Sequence, residues 1–285
     1  MISLPAMIER AARLNPNGTA TRYAQRTRNW TEVHDRIARL AAALQAMGLA
    51  EGDRVGILSL NSDRYYEAVF AVPWAGYCVV PLNTRWALPE NNYAVTDSGT
   101  RVLLFDDAFV EQAEQLLKDV DTLDIAVYMG EQDCPAWASS YEELIGANAP
   151  VPASPRGGDD MAGIFYTGGT TGFPKGVIQS QQAIWASAMG TLSNFNMNRD
   201  SAYSHVAPMF HMADCAGSMG LTLCCGKHVI LQSFDPGQVL KSVSEENVTH
   251  TLLVPAMIKM ELHHPEAATA DMSSLQKLMY GASPM

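Results

Sequence analysis

The sequence predicts an α/β fold: two lobes of largely parallel sheet flanked by helices. Two observations carry that prediction. Short, continuous apolar runs such as "RVGILSL" (54–60), "CVVPL" (78–82) and "RVLLF" (101–105) alternate with amphipathic stretches of helical length. Unbroken apolar runs suit strands buried on both faces, as in a parallel sheet covered by helices. The segment "GANAPVPASPRGGDD" (146–160) is rich in Pro and Gly and has no periodicity. It reads as a linker, dividing the chain into an N-terminal α/β lobe over 1–150 and a second α/β lobe over 151–285.

Each element has its own signal. In 31–47, Val33, Ile37, Leu40, Leu44 and Met47 share one helical face, with Thr31 placed to cap the start and Gly48 the end. A strand at 54–60, a helix at 63–76 and a strand at 78–82 come next. They lead to a helix at 89–99, a strand at 101–105, a helix at 107–120 and a strand at 123–129. Beyond the linker, "MAGIFY" (161–166) and "GVIQS" (176–180) read as strands flanking a glycine–threonine loop. After them come a helix at 181–195, a strand at 202–207, an apolar helix at 212–225 and a strand at 227–231. The helix at 235–247 starts with Asp235 as cap and Pro236 in its first position. A strand at 248–254, a helix at 255–264 and a strand at 275–281 complete the alternation.

Composition narrows the function. Of 285 residues, 47% are hydrophobic and 17% charged, an ordinary globular usage. The net charge of -11 argues against broad electrostatic binding to nucleic acid or to an anionic membrane, both of which need a basic face. It leaves a small anionic ligand open. The five cysteines show neither metal spacing nor a secreted disulfide framework, and Cys224 and Cys225 read as small core side chains. Glu9 and Arg10 interrupt the N-terminal stretch before any signal-peptide core develops, and "AGSMGLTLCCG" is too short to span a bilayer. The expectation is a soluble cytoplasmic protein without an integral membrane segment.

The stretch "YTGGTTGFPKG" (166–176) stands apart. From Thr167 to Gly172 every residue is Gly or Thr, and Lys175 lies three positions later. Glycines let backbone N–H groups converge into an anion-binding concavity, threonines add hydroxyl donors, and the lysine adds charge. The Walker A pattern fails, because Lys175 comes directly after Pro174 and a strand-like run comes after it. Composition identifies a phosphate cradle and no particular phosphate. Asp159 and Asp160, just before it, read as solvated charge in the linker.

"YTGGTTGFPKGV" closely resembles the AMP-binding signature of the acyl-adenylate-forming enzymes. "VVPLNTRW", "PMFHMAD" and "YGASPM" resemble further segments of that family, and the likeness extends over essentially the whole chain, to the N-terminal part of an acyl-CoA synthetase. The resemblance implies the reaction of an ATP-dependent carboxylic acid–CoA ligase: a carboxylate attacks the α-phosphate of ATP, and the CoA thiol then takes the acyl group. It implies site residues too. By the resemblance, Thr167, Gly168, Gly169, Thr170, Thr171, Gly172 and Lys175 would clamp the β- and γ-phosphates. His211 would orient the carboxylate at the mouth of the acyl pocket, although a histidine in isolation is more often a packed or surface residue. Tyr280, Gly281, Ala282 and Ser283 would lie along the adenine. Small residues after His211 (Ala213, Ala216, Gly217, Ser218) and Met219 favour a medium- or long-chain fatty acid, with an aryl acid of the cinnamate or benzoate type as the alternative. His34, His205, His228 and His250 show no partner pattern in the sequence.

The family's full chains are roughly twice as long. The expected magnesium ligand, ribose aspartate and C-terminal domain with its lysine have no match here. No metal ligand is assigned, and Mg²⁺ is expected to be held by the missing part. The sequence therefore reads as a truncated ligase, inactive by itself, or as a catalytically incomplete nucleotide-binding fragment. ATP, CoA and a carboxylic acid are the expected small molecules, and a homodimer is left open.

Overall fold

The computed structural model describes residues 2–168 and 174–281, which form two compact units. In chain order the elements are α1 (Leu4–Leu14), β1 (Thr19–Tyr23), β2 (Arg26–Asn29), α2 (Trp30–Ala46), β3 (Arg54–Leu58), α3 (Asp63–Ala75), β4 (Cys78–Pro81) and α4 (Leu88–Ser98). Next are β5 (Thr100–Phe105), α5 (Val110–Asp119), β6 (Ile125–Tyr128), β7 (Ser139–Ser140), α6 (Tyr141–Ala147), β8 (Met161–Thr167), β9 (Lys175–Ser180) and α7 (Gln181–Asn194). The last are β10 (Ala202–His205), α8 (Met212–Cys224), β11 (Lys227–Ile230), α9 (Pro236–Glu246), β12 (His250–Leu253), α10 (Pro255–Leu262) and β13 (Lys277–Tyr280). Among the described residues no helix is long and apolar enough to cross a membrane.

The first unit comprises Met1–Ala6, His34–Leu60 and Arg64–Trp185. Its seven-stranded sheet has the order β7-β6-β5-β3-β4-β8-β9, parallel except for the antiparallel pair β8–β9. The apolar runs of β3, β4 and β5 are its buried centre, as their composition requires. Leu58, Val80, Leu103 and Phe105 pack there with Ala94, Val95 and Leu116 from the covering helices. β8 joins beside β4 at Gly163, where a Cβ would lie 2.4 Å from the Val79 carbonyl oxygen, so the strands close only around glycine. This pairing changes the part played by segment 146–160. It runs within the first unit, pinned where the Trp74 indole donates to the Val151 carbonyl (2.9 Å) and the Ser154 N–H to the Trp74 carbonyl (2.8 Å).

The second unit comprises Met7–Val33, Asn61–Asp63 and Ala186–Met285. Its six-stranded sheet has the order β13-β12-β10-β11-β1-β2, parallel except for β1–β2. The β1–β2 hairpin has no strand signal in the sequence, because only Ala20 and Thr21 of "TATRYAQRTRN" are buried. The start of α2 also differs from expectation. Asn29 is the cap: its Oδ1 accepts from the Glu32 N–H (2.9 Å) while Glu32 Oε2 accepts from the Asn29 N–H (2.8 Å), a reciprocal capping box. Thr31 instead donates its hydroxyl proton to the Pro16 carbonyl. Asp235 caps α9 as expected, accepting from the Gln238 N–H at 2.8 Å.

Candidate functional site

In the first unit, the glycine–threonine loop is carried by a hairpin. β8 and β9 pair from Met161↔Ser180 to Thr167↔Lys175, so the loop ends are brought together by the ladder itself. The Thr167 hydroxyl reaches the Lys175 carbonyl at 3.5 Å, and Thr167, Gly168 and Lys175 are all exposed. Below them, Tyr166 donates to Asp97 Oδ2 at 2.6 Å, tying the hairpin to α4. Burial, reinforced by the Asp97 carboxylate, pushes the Tyr166 phenol up, which keeps it a donor. Gly169, Thr170, Thr171 and Gly172 lie outside the described residues.

In the second unit, His211 is the N-cap of α8. Its Nδ1 accepts from the Ala213 N–H at 3.3 Å, which in the neutral imidazole puts the proton on Nε2. The exposed ring thus offers an Nε2–H donor. The turn before it is built on Asn61, a buried residue that carries no signal in the sequence. Asn61 Nδ2 donates to the carbonyls of Ala207 (2.9 Å) and His205 (3.4 Å), and its Oδ1 accepts from the Met209 N–H (2.8 Å). One amide side chain therefore satisfies the Ala207 carbonyl and the Met209 N–H of this buried turn and adds a longer contact to the His205 carbonyl, which also accepts from the Leu231 N–H at the end of β10.

Behind this turn lies a buried polar network. Tyr203 donates to Asp214 Oδ1 (3.2 Å), and His205 Nδ1 lies 2.8 Å from Asp214 Oδ2. His205 Nε2 lies 2.9 Å from His228 Nδ1, and His228 Nε2 lies 3.3 Å from Thr222 Oγ1. None of these five residues is more than marginally exposed. Burial and the adjacent His205 push the His228 imidazole well down, so it is neutral. Burial, with Asp214 adding to it, pushes the Tyr203 phenol well up and the Cys215 thiol up to about 12. Gly217 lets α8 approach closely, since a Cβ there would lie 2.8 Å from the Tyr203 ring. Gly217 and Ser218 consequently face packed protein, and Ala213 and Ala216 are the less buried of the small residues.

Tyr280 ends β13, paired with Leu253 of β12, and is exposed; Gly281 is the next residue. Ala282 and Ser283 lie outside the described residues. Among the described residues no group of three or more His, Cys, Asp or Glu could hold a metal ion, and no residue is assigned to magnesium.

Comparison with known proteins identifies the family. The chain belongs to the AMP-binding enzyme family, whose model matches residues 8–285. It is 36% identical over 277 residues to a feruloyl-CoA synthase of Amycolatopsis, covering 97% of this chain and 53% of the relative. It is 33% identical over 265 residues to the medium/long-chain-fatty-acid–CoA ligase FadD8 of Mycobacterium tuberculosis, covering 88% and 45% respectively. The chain thus spans about half the length of the curated relatives it matches. Among solved structures, the inhibitor-bound N-terminal domain of FACL13 from Mycobacterium tuberculosis superposes with a TM-score of 0.90 at 26% identity, covering all of this chain and 71% of that one.

Proposed function

We propose that this chain carries the adenylate-forming residues of an ATP-dependent carboxylic acid–CoA ligase acting on a medium- or long-chain fatty acid. The observation that carries this reading is the β8–β9 hairpin, which presents Thr167, Gly168 and Lys175 at the mouth of a glycine–threonine loop inside a matched AMP-binding family. In the first step a carboxylate oxygen bonds to the α-phosphorus of ATP, and the bond from that phosphorus to the bridging oxygen breaks to release pyrophosphate. Donors on the leaving group stabilise the charge that builds there, and the hairpin residues take that role. The His211 Nε2–H donates to the carboxylate and fixes the direction of its attack. In the second step the CoA sulfur bonds to the acyl carbon and AMP leaves. Tyr280 and Gly281, with Ala282 and Ser283, are assigned to the adenine, and Gly169, Thr170, Thr171 and Gly172 to the phosphates. Magnesium, when bound, would neutralise phosphate charge.

An aryl acid is the second reading, favoured by the 36% identity to a feruloyl-CoA synthase. Non-hydrolysable acyl-sulfamoyl-adenosines separate the two without requiring turnover. A ligand present at about a hundred times its dissociation constant stabilises by about 2.7 kcal/mol, which a thermal melt resolves. Stabilisation is expected to be larger with the decanoyl than with the feruloyl analogue. The reverse order would make the substrate an aryl acid. A melt unmoved by either would overturn the ligase reading.

A further inference from the structure

We propose that the buried pair His205 and His228 forms a one-way hydrogen-bond chain from Asp214 to the Ser218 carbonyl, and that Asp214 is thereby the positioning residue for His211. The second half rests on the role proposed for His211; the first stands on the network alone.

The direction comes from counting protons. Thr222 has a single hydroxyl proton, and its Oγ1 lies 2.9 Å from the Ser218 carbonyl oxygen, which can only accept. With the proton spent there, the 3.3 Å contact to His228 requires that Nε2 carry a hydrogen and donate. A neutral imidazole protonated on Nε2 has a bare Nδ1, and that nitrogen must accept from His205 Nε2–H across 2.9 Å. His205 Nδ1 and Asp214 Oδ2 share one further proton across 2.8 Å. The opposite direction would place a hydrogen on Nδ1 of both histidines. It would set two bare oxygens face to face at Thr222 and Ser218, a costly arrangement. Several groups of the second unit face the pair. They are Tyr203 from β10, Cys215, Ser218 and Thr222 from α8, and the Trp30 ring, 5.8 Å from the His228 ring.

The link to His211 is the backbone of the first turn of α8. Asp214, Ser218 and Thr222 are spaced by four and share the face of α8 that meets the sheet. The N–H groups of Asp214 and Cys215 both donate to the His211 carbonyl at 3.1 Å. Anchoring the Asp214 side chain through His205 therefore anchors the peptide from which the His211 imidazole projects.

Selective ¹⁵N-histidine labelling of the chain tests the direction. Both buried histidines are expected to carry a hydrogen on Nε2, with Nδ1 of His228 bare. Two Nδ1–H tautomers would overturn it. In Thr222→Val the acceptor of the His228 Nε2–H is gone, and His228 is expected to switch tautomer while His205 loses its Nε2 proton. An unchanged histidine spectrum in that variant would also count against the chain. Hydrogen exchange tests the positioning: Asp214→Asn should speed exchange at the Asp214 and Cys215 amides at least tenfold while the α9 amides stay unchanged. Unaltered exchange in that turn would refute the positioning role. If Asp214→Asn does not fold, the same measurement on Thr222→Val decides it. No readout involves nucleotide or acyl ligand, so its failure is distinct from failure of the ligase reading.

Discussion

In the β8–β9 hairpin, Thr167, Gly168 and Lys175 stand exposed, whereas in β10, α8 and β11 the side chains of Tyr203, His205, Asp214, Thr222 and His228 are almost wholly buried. Both regions are rich in polar groups, and the physical consequences are opposite. Exposed donors cost the fold little and keep their hydrogen-bonding capacity for a ligand. Buried donors and acceptors have already been matched to one another, so removing one strands its neighbour. Substitutions in the hairpin should therefore show up in binding, and substitutions in the network in stability.

The largest effect expected is at Asp214. Asp214→Ala leaves His205 and Tyr203 without their acceptor inside an apolar surround, and breaking a buried pair from one side costs about 3–5 kcal/mol. Urea denaturation should show that loss, as a lower midpoint with an unchanged slope. A loss below about 1 kcal/mol would mean that the network is no rigid element of the fold. Next comes Lys175→Ala. Lys175 is exposed on an edge strand, so stability should move by no more than about 0.5 kcal/mol. A charge-assisted contact to phosphate is worth about 1.5–3 kcal/mol, so ATP affinity measured by calorimetry should fall about 10- to 150-fold. If instead Lys175→Ala lowers stability and leaves ATP binding intact, the contrast between the two regions is reversed.

The same contrast explains how much was legible in the sequence. The hairpin was readable because its chemistry is contiguous: the apolar strand, the Gly/Thr run and Lys175 fall within 161–180. The parallel sheets were readable because β3, β4 and β5 are continuous apolar runs. The network was not, since His205, Asp214, Thr222 and His228 come from three elements and meet only when α8 packs on β10 and β11. Asn61 was hidden for a stronger reason. Its partners Ala207 and Met209 lie well over a hundred residues away, and nothing in "SLNSD" distinguishes it from a loop asparagine. The β1–β2 hairpin was obscured because its arginines dilute the alternation that identifies a strand. Segment 146–160 carries linker composition, and its packing against Trp74 depends on the long-range pairing of β8 with β4.

Another buried carboxylate in the same unit sharpens the comparison. Glu261 lies one turn beyond Met257 on α10, buried, with an Oε1 that finds no hydrogen-bond partner among the described residues. Burial pushes its carboxyl up from the ordinary 4.5 to about 7. Below about pH 4.5 the group is protonated in folded and unfolded chains alike and contributes nothing to the pH dependence. Between about 4.5 and 7 the unfolded chain releases a proton that the folded chain retains, so stability falls as pH rises, and the fall is complete above about 7. Each pKa unit corresponds to about 1.4 kcal/mol, and relaxation with water entry reduces the realised loss to about 1–2 kcal/mol. Glu261→Gln removes the titration. Its stability measured from about pH 5 to about pH 8 should therefore fall less than that of the parent chain by about that amount, whatever the neutral amide does to the absolute value. Parallel pH profiles for the two chains would show that Glu261 ionises in a better-solvated site, and the comparison with Asp214 would then rest on burial alone rather than on burial with and without partners.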